Sequence, residues 1–172
     1  MELQEAIRTR RSIRKYTAQP VEDTLIEQIL AAGMSAPSAH NQQPWEFIVV
    51  RKSETLSALS HLSPYAGMIQ GAAAAIIVCG DPQREHSRDD SGYWMLDCSV
   101  AVGFMSLAAH ALGLGSVWVA VYPREARITA VRQVINLPEH IVPFCVLPLG
   151  YPAESRSPAE RFDRSRIHYE RW

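Results

Sequence analysis

Two guanidinium groups and a hydroxyl lie at regular spacing in the segment that begins at Arg10. Arg10, Ser12 and Arg14 are each two positions apart. Side chains of an extended chain alternate between two faces, so these three side chains would share one face. The planar guanidinium group of arginine binds phosphate through paired hydrogen bonds. This spacing therefore indicates an anion clamp, and a solvated basic surface loop is the alternative that the residues leave open.

A second segment, residues 36–45, combines two prolines with a dense set of amide side chains. Such a loop is stiff and rich in donors and acceptors, which suits recognition of a flat heterocycle with carbonyl and imide edges. The alternative is a helix-to-strand connection whose Asn and Gln side chains satisfy backbone groups. His40 on its own indicates a hydrogen-bond partner within the loop more than a catalytic base.

The sequence of a third segment, residues 113–123, predicts the end of a helix, then a strand and a turn. Small residues at the end of such a strand let a ligand approach the backbone, whose N–H groups then donate to it. Taken alone, this is an ordinary helix–strand junction.

Side-chain nucleophiles and metal ligands are not indicated by the sequence. The three cysteines lie in apolar stretches without C-x-x-C spacing, and the six histidines are scattered. Neither a Walker-type loop nor a G-x-G-x-x-G motif occurs. Asp97 is the one acid inside an apolar helix, and we interpret it as an anchor for a loop rather than as a tuned group. These observations predict that a cofactor carries the chemistry.

The elements that position these segments follow from hydrophobic periodicity and from Gly and Pro stops. Apolar residues on nearly every face of 93–112 predict a helix surrounded by protein. Pro143 and Pro148 argue against an interior position for the last strand. The predicted helices are a short one from Leu3 to the arginine run, one after Glu22 that ends at Gly33, one after Ser53, one over 93–112, and one containing Ile128 and Ile135; the predicted strands are 45–50, 74–79, 116–121 and 141–149.

The length of the chain predicts a single domain over residues 1–172. The chain is 47% hydrophobic with a net charge of −1, which excludes intrinsic disorder and argues against nucleic-acid binding through bulk positive charge. The start has no apolar signal region, and the stretch 95–114 carries Asp97, Ser99 and His110, so we expect a cytoplasmic protein and a core helix rather than a membrane span. The aromatic residues of the tail 151–172 predict that it docks on a surface.

Taken in this order, the three segments closely resemble the nitroreductase family of FMN-dependent oxidoreductases. The resemblance covers essentially the whole chain. It is carried by Arg-Arg-Ser-Ile-Arg at 10–14, Pro-Ser-x-x-Asn-x-Gln-Pro-Trp at 37–45, Leu-Gly-Leu-Gly-x-x-Trp at 112–118 and His-Tyr-Glu-Arg-Trp at 168–172.

This resemblance implies an α+β fold. In that fold a mixed, mostly antiparallel sheet is flanked by helices, with a buried central helix and a C-terminal tail that reaches the partner subunit. It also implies a homodimer with two FMN sites at its interface, and NADH or NADPH as the electron donor. The cofactor-binding residues that it implies are Arg10, Arg11, Ser12, Arg14, Pro37, Ser38, Ala39, Asn41, Gln43, Val119, Ala120, Val121 and Arg161.

The resemblance also assigns roles to these residues. The clamp residues and Arg161 would hold the phosphate and ribityl chain, with Arg14 reaching the pyrimidine edge. The residues of 37–43 would come from the other subunit. Ala120 and Val121 would present backbone N–H groups to the flavin N5 and O4 region, where Ala120 stands in place of the glycine usual in the family. Phe104 stands where many relatives carry Asn, which predicts a more apolar pocket or a side chain that faces the core.

The implied reaction takes hydride from NAD(P)H and passes two electrons to a nitroaromatic, a quinone or a free flavin. No side chain is a catalytic residue in this reaction, and no metal is expected. A dehalogenase or flavin-modifying enzyme on the same fold is an alternative, although the segment 81–92 leaves little chain for the lid that such enzymes use. A non-catalytic nucleotide-binding protein is an alternative from another class.

Overall fold

A computed structural model describes residues 1–86 and 92–172 of the chain. Helices and strands are interspersed along it, and short 3₁₀ turns occur at Ala39–Asn41, Gly67–Gly71, Pro82–Arg84 and Arg164–Arg166. The elements are α1 (Leu3–Thr9), α2 (Asp23–Met34), β1 (Trp45–Val50), α3 (Ser53–Ser60), β2 (Ala74–Gly80), α4 (Tyr93–Ala111), β3 (Gly115–Ser116), β4 (Val119–Ala120), α5 (Glu125–Ile135) and β5 (Val142–Gly150). Residues 87–91, which belong to the segment judged too short for a lid, lie outside the described residues.

The strands form one sheet in the order β1-β2-β5-β3, and β4 also pairs with β5. These pairings are antiparallel, and a parallel bridge joins Ser12 to Ser116 at the β3 side. The predicted α+β class with a mostly antiparallel sheet is therefore confirmed.

Both faces of the sheet are covered by helices. Ile76 and Val78 of β2 point into a core shared with α2 and α4, whereas Ile77 and Cys79 point into a core shared with α3 and α5. Successive strand residues face opposite sides, so a strand buried on both faces reads as a continuous apolar run. The three cysteines lie in these cores as free thiols.

The position of β5 corrects the expectation drawn from its prolines. β5 lies inside the sheet, between β2 and the short strands β3 and β4. The register of β5 with β2 shifts between Val78 and Cys79, and Pro143 lies opposite Cys79 at this irregularity. A bulge accommodates a residue that cannot donate to the ladder, so an interior strand tolerates proline there.

The predicted strand 116–121 is interrupted. Ser116 pairs with Leu149 and Val119 with Val146, so the shared register places Val117 opposite Pro148. Proline has no N–H to donate to its neighbour. The strand is consequently divided into β3 and β4 at this point.

Helix α4 is covered on one side only, which corrects the prediction of a helix surrounded by protein. Its covered face includes Asp97, Cys98 and Met105, which are buried against α2 and the sheet. Its other face is apolar and open, with Leu96, Val100 and Phe104 exposed. Among the described residues, α4 is the one helix whose length and composition would allow it to cross a membrane. This is weak evidence for a membrane span, because a helix that packs on a sheet can meet the same criteria.

Candidate active site

The segment after α1 is extended and fixed beside β3. The Ile13 N–H donates to the Ser116 carbonyl at 3.0 Å, and Ile13 is buried against Gly115, where a Cβ atom would lie 2.7 Å from it. A side chain at Gly115 would therefore push Ile13 out. Because neighbouring residues of an extended segment alternate, Ser12 and Arg14 are expected on the face opposite Ile13.

Guanidinium groups converge at one end of this segment. Arg10 is half-buried, and its pKa is lowered by burial and then by the positive charges of Arg161 and Arg11. Among the described residues no carboxylate forms an ion pair with Arg10 or Arg161. Like charges held together at a partly buried position are stabilised when an anion binds between them. The positive charge of Arg161 in the tail therefore acts on Arg10, and the shared phosphate-binding role expected for the two residues stays a prediction.

Arg11 takes a different direction from its neighbours. It lines a smaller hollow of about 250 Å³ together with Ile13 and His110. There the Thr9 hydroxyl lies 2.8 Å from His110 Nε2, and burial lowers the pKa of His110. Alternation therefore separates Arg11 from the face that carries Arg14, although its charge still acts on Arg10.

A cleft of about 570 Å³ opens beside β4. It brings together three residues of the predicted set, Arg14, Val119 and Ala120. The other residues that line the cleft were not among the predicted site residues, although Trp118 belongs to the motif at 112–118. The remaining lining residues are Ser63, Pro64, Tyr65, Gly67, Met68, Val117, Trp118 and Arg127.

The edge of β4 presents one open amide rather than two. The Val121 N–H donates to the Phe144 carbonyl at 3.1 Å, so the expectation that it faces a ligand is wrong. The Ala120 carbonyl accepts from Arg127 Nη1 at 2.7 Å instead of from a strand. In an antiparallel ladder the N–H and C=O of one residue point to the same side, so the exposed Ala120 directs its N–H to the same open edge.

The loop 37–43 lies outside this cleft. His40, Asn41 and Gln43 have φ angles of 51°, 55° and 49°, a left-handed conformation that is uncommon for side-chain-bearing residues. The Gln43 N–H donates to Ser38 Oγ at 3.0 Å and fixes the turn. Such strain is concentrated where a protein positions a ligand contact. None of the predicted residues of this loop lines the cleft.

Asp97 holds this loop from α4. Its Oδ1 accepts from the Ala39 N–H at 3.1 Å, which is the anchoring role that the sequence analysis favoured. Its Oδ2 is buried and has no partner among the described residues. Burial raises the pKa of Asp97; the bond from Ala39 opposes this rise and the charge of Glu85 adds to it.

Phe104 faces neither the core nor the cleft. It is 40% exposed and lines an apolar groove of about 550 Å³ between α1 and α4. The prediction that its side chain faces the core is therefore wrong, and the prediction of a more apolar site pocket stays a prediction. Three of the four tail aromatics are also open, with Phe162 77%, Tyr169 74% and Trp172 fully exposed, whereas Tyr151 packs against the core. Large apolar surfaces of this kind mark interaction sites.

Comparison with known proteins gives consistent results. A model of the nitroreductase family matches residues 7–65 and 58–151. A protein of Methanothermobacter thermautotrophicus, provisionally named NADH dehydrogenase/NAD(P)H nitroreductase, is 49% identical over all of this chain and 88% of its own length. An FMN-dependent nitroreductase from Clostridium difficile R20291 superposes with a TM-score of 0.91 at 29% identity, covering 98% of this chain and 99% of its own. A crystal structure from Desulfovibrio desulfuricans, solved in complex with FMN, gives 0.82 at 30% identity, covering 100% and 98%.

Proposed function

The chain belongs to the nitroreductase family, and we propose that it acts as a homodimeric, FMN-dependent oxidoreductase with its two cofactor sites at the subunit interface. The relatives are named for NAD(P)H-dependent reduction and for FMN, which supports the enzyme class and the cofactor. NADH or NADPH donates hydride, and a nitroaromatic, a quinone or a free flavin takes two electrons. A binding protein without catalysis is not supported by these names.

The observation that carries this proposal is a half-buried Arg10 that has no carboxylate ion-pair partner among the described residues and is influenced by the positive charge of Arg161. Two guanidinium groups in this arrangement fit a phosphate monoester, which is the anionic end of FMN. Arg14, which follows Arg10 in the same segment, lines the cleft together with Ala120. Phosphate at one end and a flat ring at the other match the shape of this cofactor.

In this arrangement Arg10, Ser12 and Arg161 hold the phosphate, and Arg14 contacts the pyrimidine edge of the ring. The Ala120 N–H donates to the ring edge, where its hydrogen bond is held ready by the strand. FMN bound there would supply the two-electron redox chemistry between NAD(P)H and the acceptor. The guanidinium charge stabilises negative charge that develops on the ring, and protons come from water. Val119 keeps a supporting position, buried behind Ala120.

A second copy of the chain supplies the rest of the site. The open face of α4, the apolar groove at Phe104 and the exposed aromatic tail are surfaces that a partner subunit would cover. Residues Pro37, Ser38, Ala39, Asn41 and Gln43 then reach the cofactor of the other subunit, which accounts for their position outside the cleft. The single domain over 1–172 and the cytoplasmic location stay predictions.

An absorption spectrum of the purified protein tests the proposal. We expect a yellow protein that bleaches under anaerobic conditions when NADH or NADPH is added. If the sample is colourless, reconstitution with FMN distinguishes weak retention from the absence of a site. A protein that neither binds FMN nor bleaches would contradict the enzyme proposal, and a monomer that holds FMN fully would contradict the shared site. A screen of acceptors that includes a halogenated phenol separates reduction of nitro compounds from dehalogenation.

A further inference from the structure

The cleft beside Ala120 exposes aromatic surface that the chain itself does not cover. Tyr65 is 81% exposed and Trp118 is 41% exposed, and both line the cleft. Trp118 is held in place on one side, because its ring packs edge-on against Phe144 with centroids 5.4 Å apart. Exposed aromatic faces in a concavity favour a planar ligand, since stacking removes their apolar area from water.

The same cleft is positively charged. Its two ionised side chains are Arg14 and Arg127, and the described lining contains no Asp or Glu. Glu154, which accepts from the Arg14 backbone N–H, is ion-paired with Arg156 instead. A concave surface that carries one sign of charge concentrates ligands of the opposite sign.

Arg127 is the cation of this pair that the cofactor leaves available. It is half-buried in the first turns of α5, and the bond from Nη1 to the Ala120 carbonyl fixes its guanidinium group at the cleft. A guanidinium group has five N–H donors, and among the described residues one bond is formed. Arg14 is assigned to the pyrimidine edge, so Arg127 retains donors for a second anion.

We propose that the acceptor of this enzyme is a planar, electron-poor aromatic compound that carries a negatively charged group such as a carboxylate, and that Arg127 is the residue that selects it. This inference rests on the proposed function. For a nitroaromatic acceptor, NAD(P)H and one proton reduce the nitro group to a nitroso group with release of NAD(P)⁺ and water, so two electrons and two protons balance. The carboxylate is unchanged and serves only recognition.

The test compares 4-nitrobenzoate with its methyl ester, which has the same nitro-substituted ring and no charge. In FMN-loaded protein, Arg127→Gln removes the charge but keeps a donor for the Ala120 carbonyl. We expect kcat/KM for the carboxylate to fall about tenfold and that for the ester to change less than about twofold, because a charge-assisted bond is lost. Arg127→Lys should retain most of the preference. Arg124→Gln, an exposed position just before α5 that does not line the cleft, is the matched control and should leave the ratio unchanged.

A binding measurement without donor supports the kinetics. Titration of the oxidised protein with 4-nitrobenzoate, followed by quenching of tryptophan fluorescence, should give a dissociation constant that rises about tenfold in Arg127→Gln. Trp118→Phe identifies the part of the signal that arises in the cleft. The preference for the carboxylate should shrink when KCl is raised, because salt screens a partly exposed charge pair.

The diphosphate of NADH or NADPH is a second anion that Arg127 could bind. A second set of measurements distinguishes donor binding from acceptor binding. With the ester as acceptor, the KM values of NADPH, NADH and reduced nicotinamide mononucleotide are compared in wild type and Arg127→Gln. A rise in donor KM with an unchanged carboxylate-to-ester ratio would overturn the proposal in favour of donor binding. If Arg127→Lys lost the preference for the carboxylate while Arg127→Gln retained it, Arg127 would act only by positioning Ala120, and the proposal would be overturned. If the ester is reduced but the carboxylate is not preferred, this inference fails while the proposed function stands; if no acceptor is reduced in FMN-loaded protein, both fail.

Discussion

The cleft beside Ala120 and the loop 37–43 are both assigned to the same cofactor, yet they are built differently. The cleft is formed within one chain from the N-terminal segment, β4 and the start of α5. The loop lies on another part of the surface, beside α4 with its open apolar face, and it is held by Asp97 in a strained conformation. The cleft is shaped by one copy of the chain, whereas the loop is held in position by one copy but none of its predicted ligand-binding residues lines that cleft.

In the proposed dimer, this difference would correspond to a division of work between the two subunits. The guanidinium cluster and the cleft supply charge and a shaped surface, which a monomer already has. The loop supplies rigid donors, which become useful only after association. Affinity for the cofactor should therefore depend on two separable properties, the charge of the cluster and the formation of the dimer.

The largest effect is expected from a charge placed on the open face of α4. Phe104→Arg buries a guanidinium group twice in a symmetric interface, so the dimer dissociation constant should rise at least about 100-fold and FMN occupancy should fall with it. Light scattering after gel filtration and the ratio of flavin to protein absorbance measure both. Val49→Arg is the matched control, because Val49 on β1 is also 40% exposed. A monomeric Phe104→Arg protein with full FMN occupancy would remove the loop from the site.

The next effect is expected at the guanidinium cluster. Arg10→Ala and Arg161→Ala should each weaken FMN binding about 10- to 100-fold without changing the dimer, because each removes a charge-assisted bond to phosphate. Fluorescence titration of apoprotein with FMN measures the affinity. Arg8→Ala, an exposed arginine of the same helix end, should leave it unchanged. Equal affinities in Arg10→Ala and wild type would mean that the cluster is not the phosphate site.

The sequence predicted most element boundaries because Gly, Pro and polar residues mark them locally. It failed for β5, since the rule that keeps proline at sheet edges does not take account of a bulge within β5 itself, where Phe144 is the extra residue between Pro143 and Cys145. It also failed for the open face of α4. A helix that is apolar on every side has to be covered, but the pattern does not show whether the cover comes from its own chain or from a second copy.

The candidate site was also predicted only in part. Arg10, Ser12 and Arg14 could be proposed because spacing within one short segment predicts a common face; of the three, the structure places Arg14 in the cleft. Tyr65 and Arg127 were missed, because they reach the cleft from segments distant in sequence and neither stands in a recognisable pattern. The Val121 amide was misassigned, since its use by Phe144 depends on the register of β4 with β5.

A smaller effect is expected where the loop is anchored. Asp97→Ala removes the acceptor for the Ala39 N–H and should lower the free energy of unfolding by about 1–3 kcal/mol, with weaker FMN binding although the guanidinium cluster is intact. Asp97→Asn keeps an acceptor and should restore part of both. Urea unfolding at fixed protein concentration measures the stability. FMN affinity that is unchanged in Asp97→Ala would show that loop position does not matter.

The same residue gives the loop a dependence on pH. Because burial raises the pKa of Asp97, the folded chain binds this proton more tightly than the unfolded chain. The contribution is complete below the ordinary Asp pKa, and stability is lost as pH rises through the raised value in the folded protein. Asp97→Asn does not titrate, so the free energy of unfolding of wild type relative to this variant should decrease with rising pH. A difference that is constant between pH 4 and 8 would contradict the assignment.

The smallest effect is expected from Ala120→Gly, which changes one methyl group at the open edge of β4. Glycine restores the residue usual in the family and removes a Cβ atom beside the free N–H, so FMN should bind up to about threefold more tightly if that atom narrows the approach. Glycine also costs about 0.5–1 kcal/mol of folding free energy in a strand, which unfolding in urea detects separately. The Arg127 bond to the Ala120 carbonyl involves only backbone at this position and should persist. Because the change lies wholly in the cleft, the dimer dissociation constant should stay constant, and a variant that altered it would show that cleft and interface are not separable.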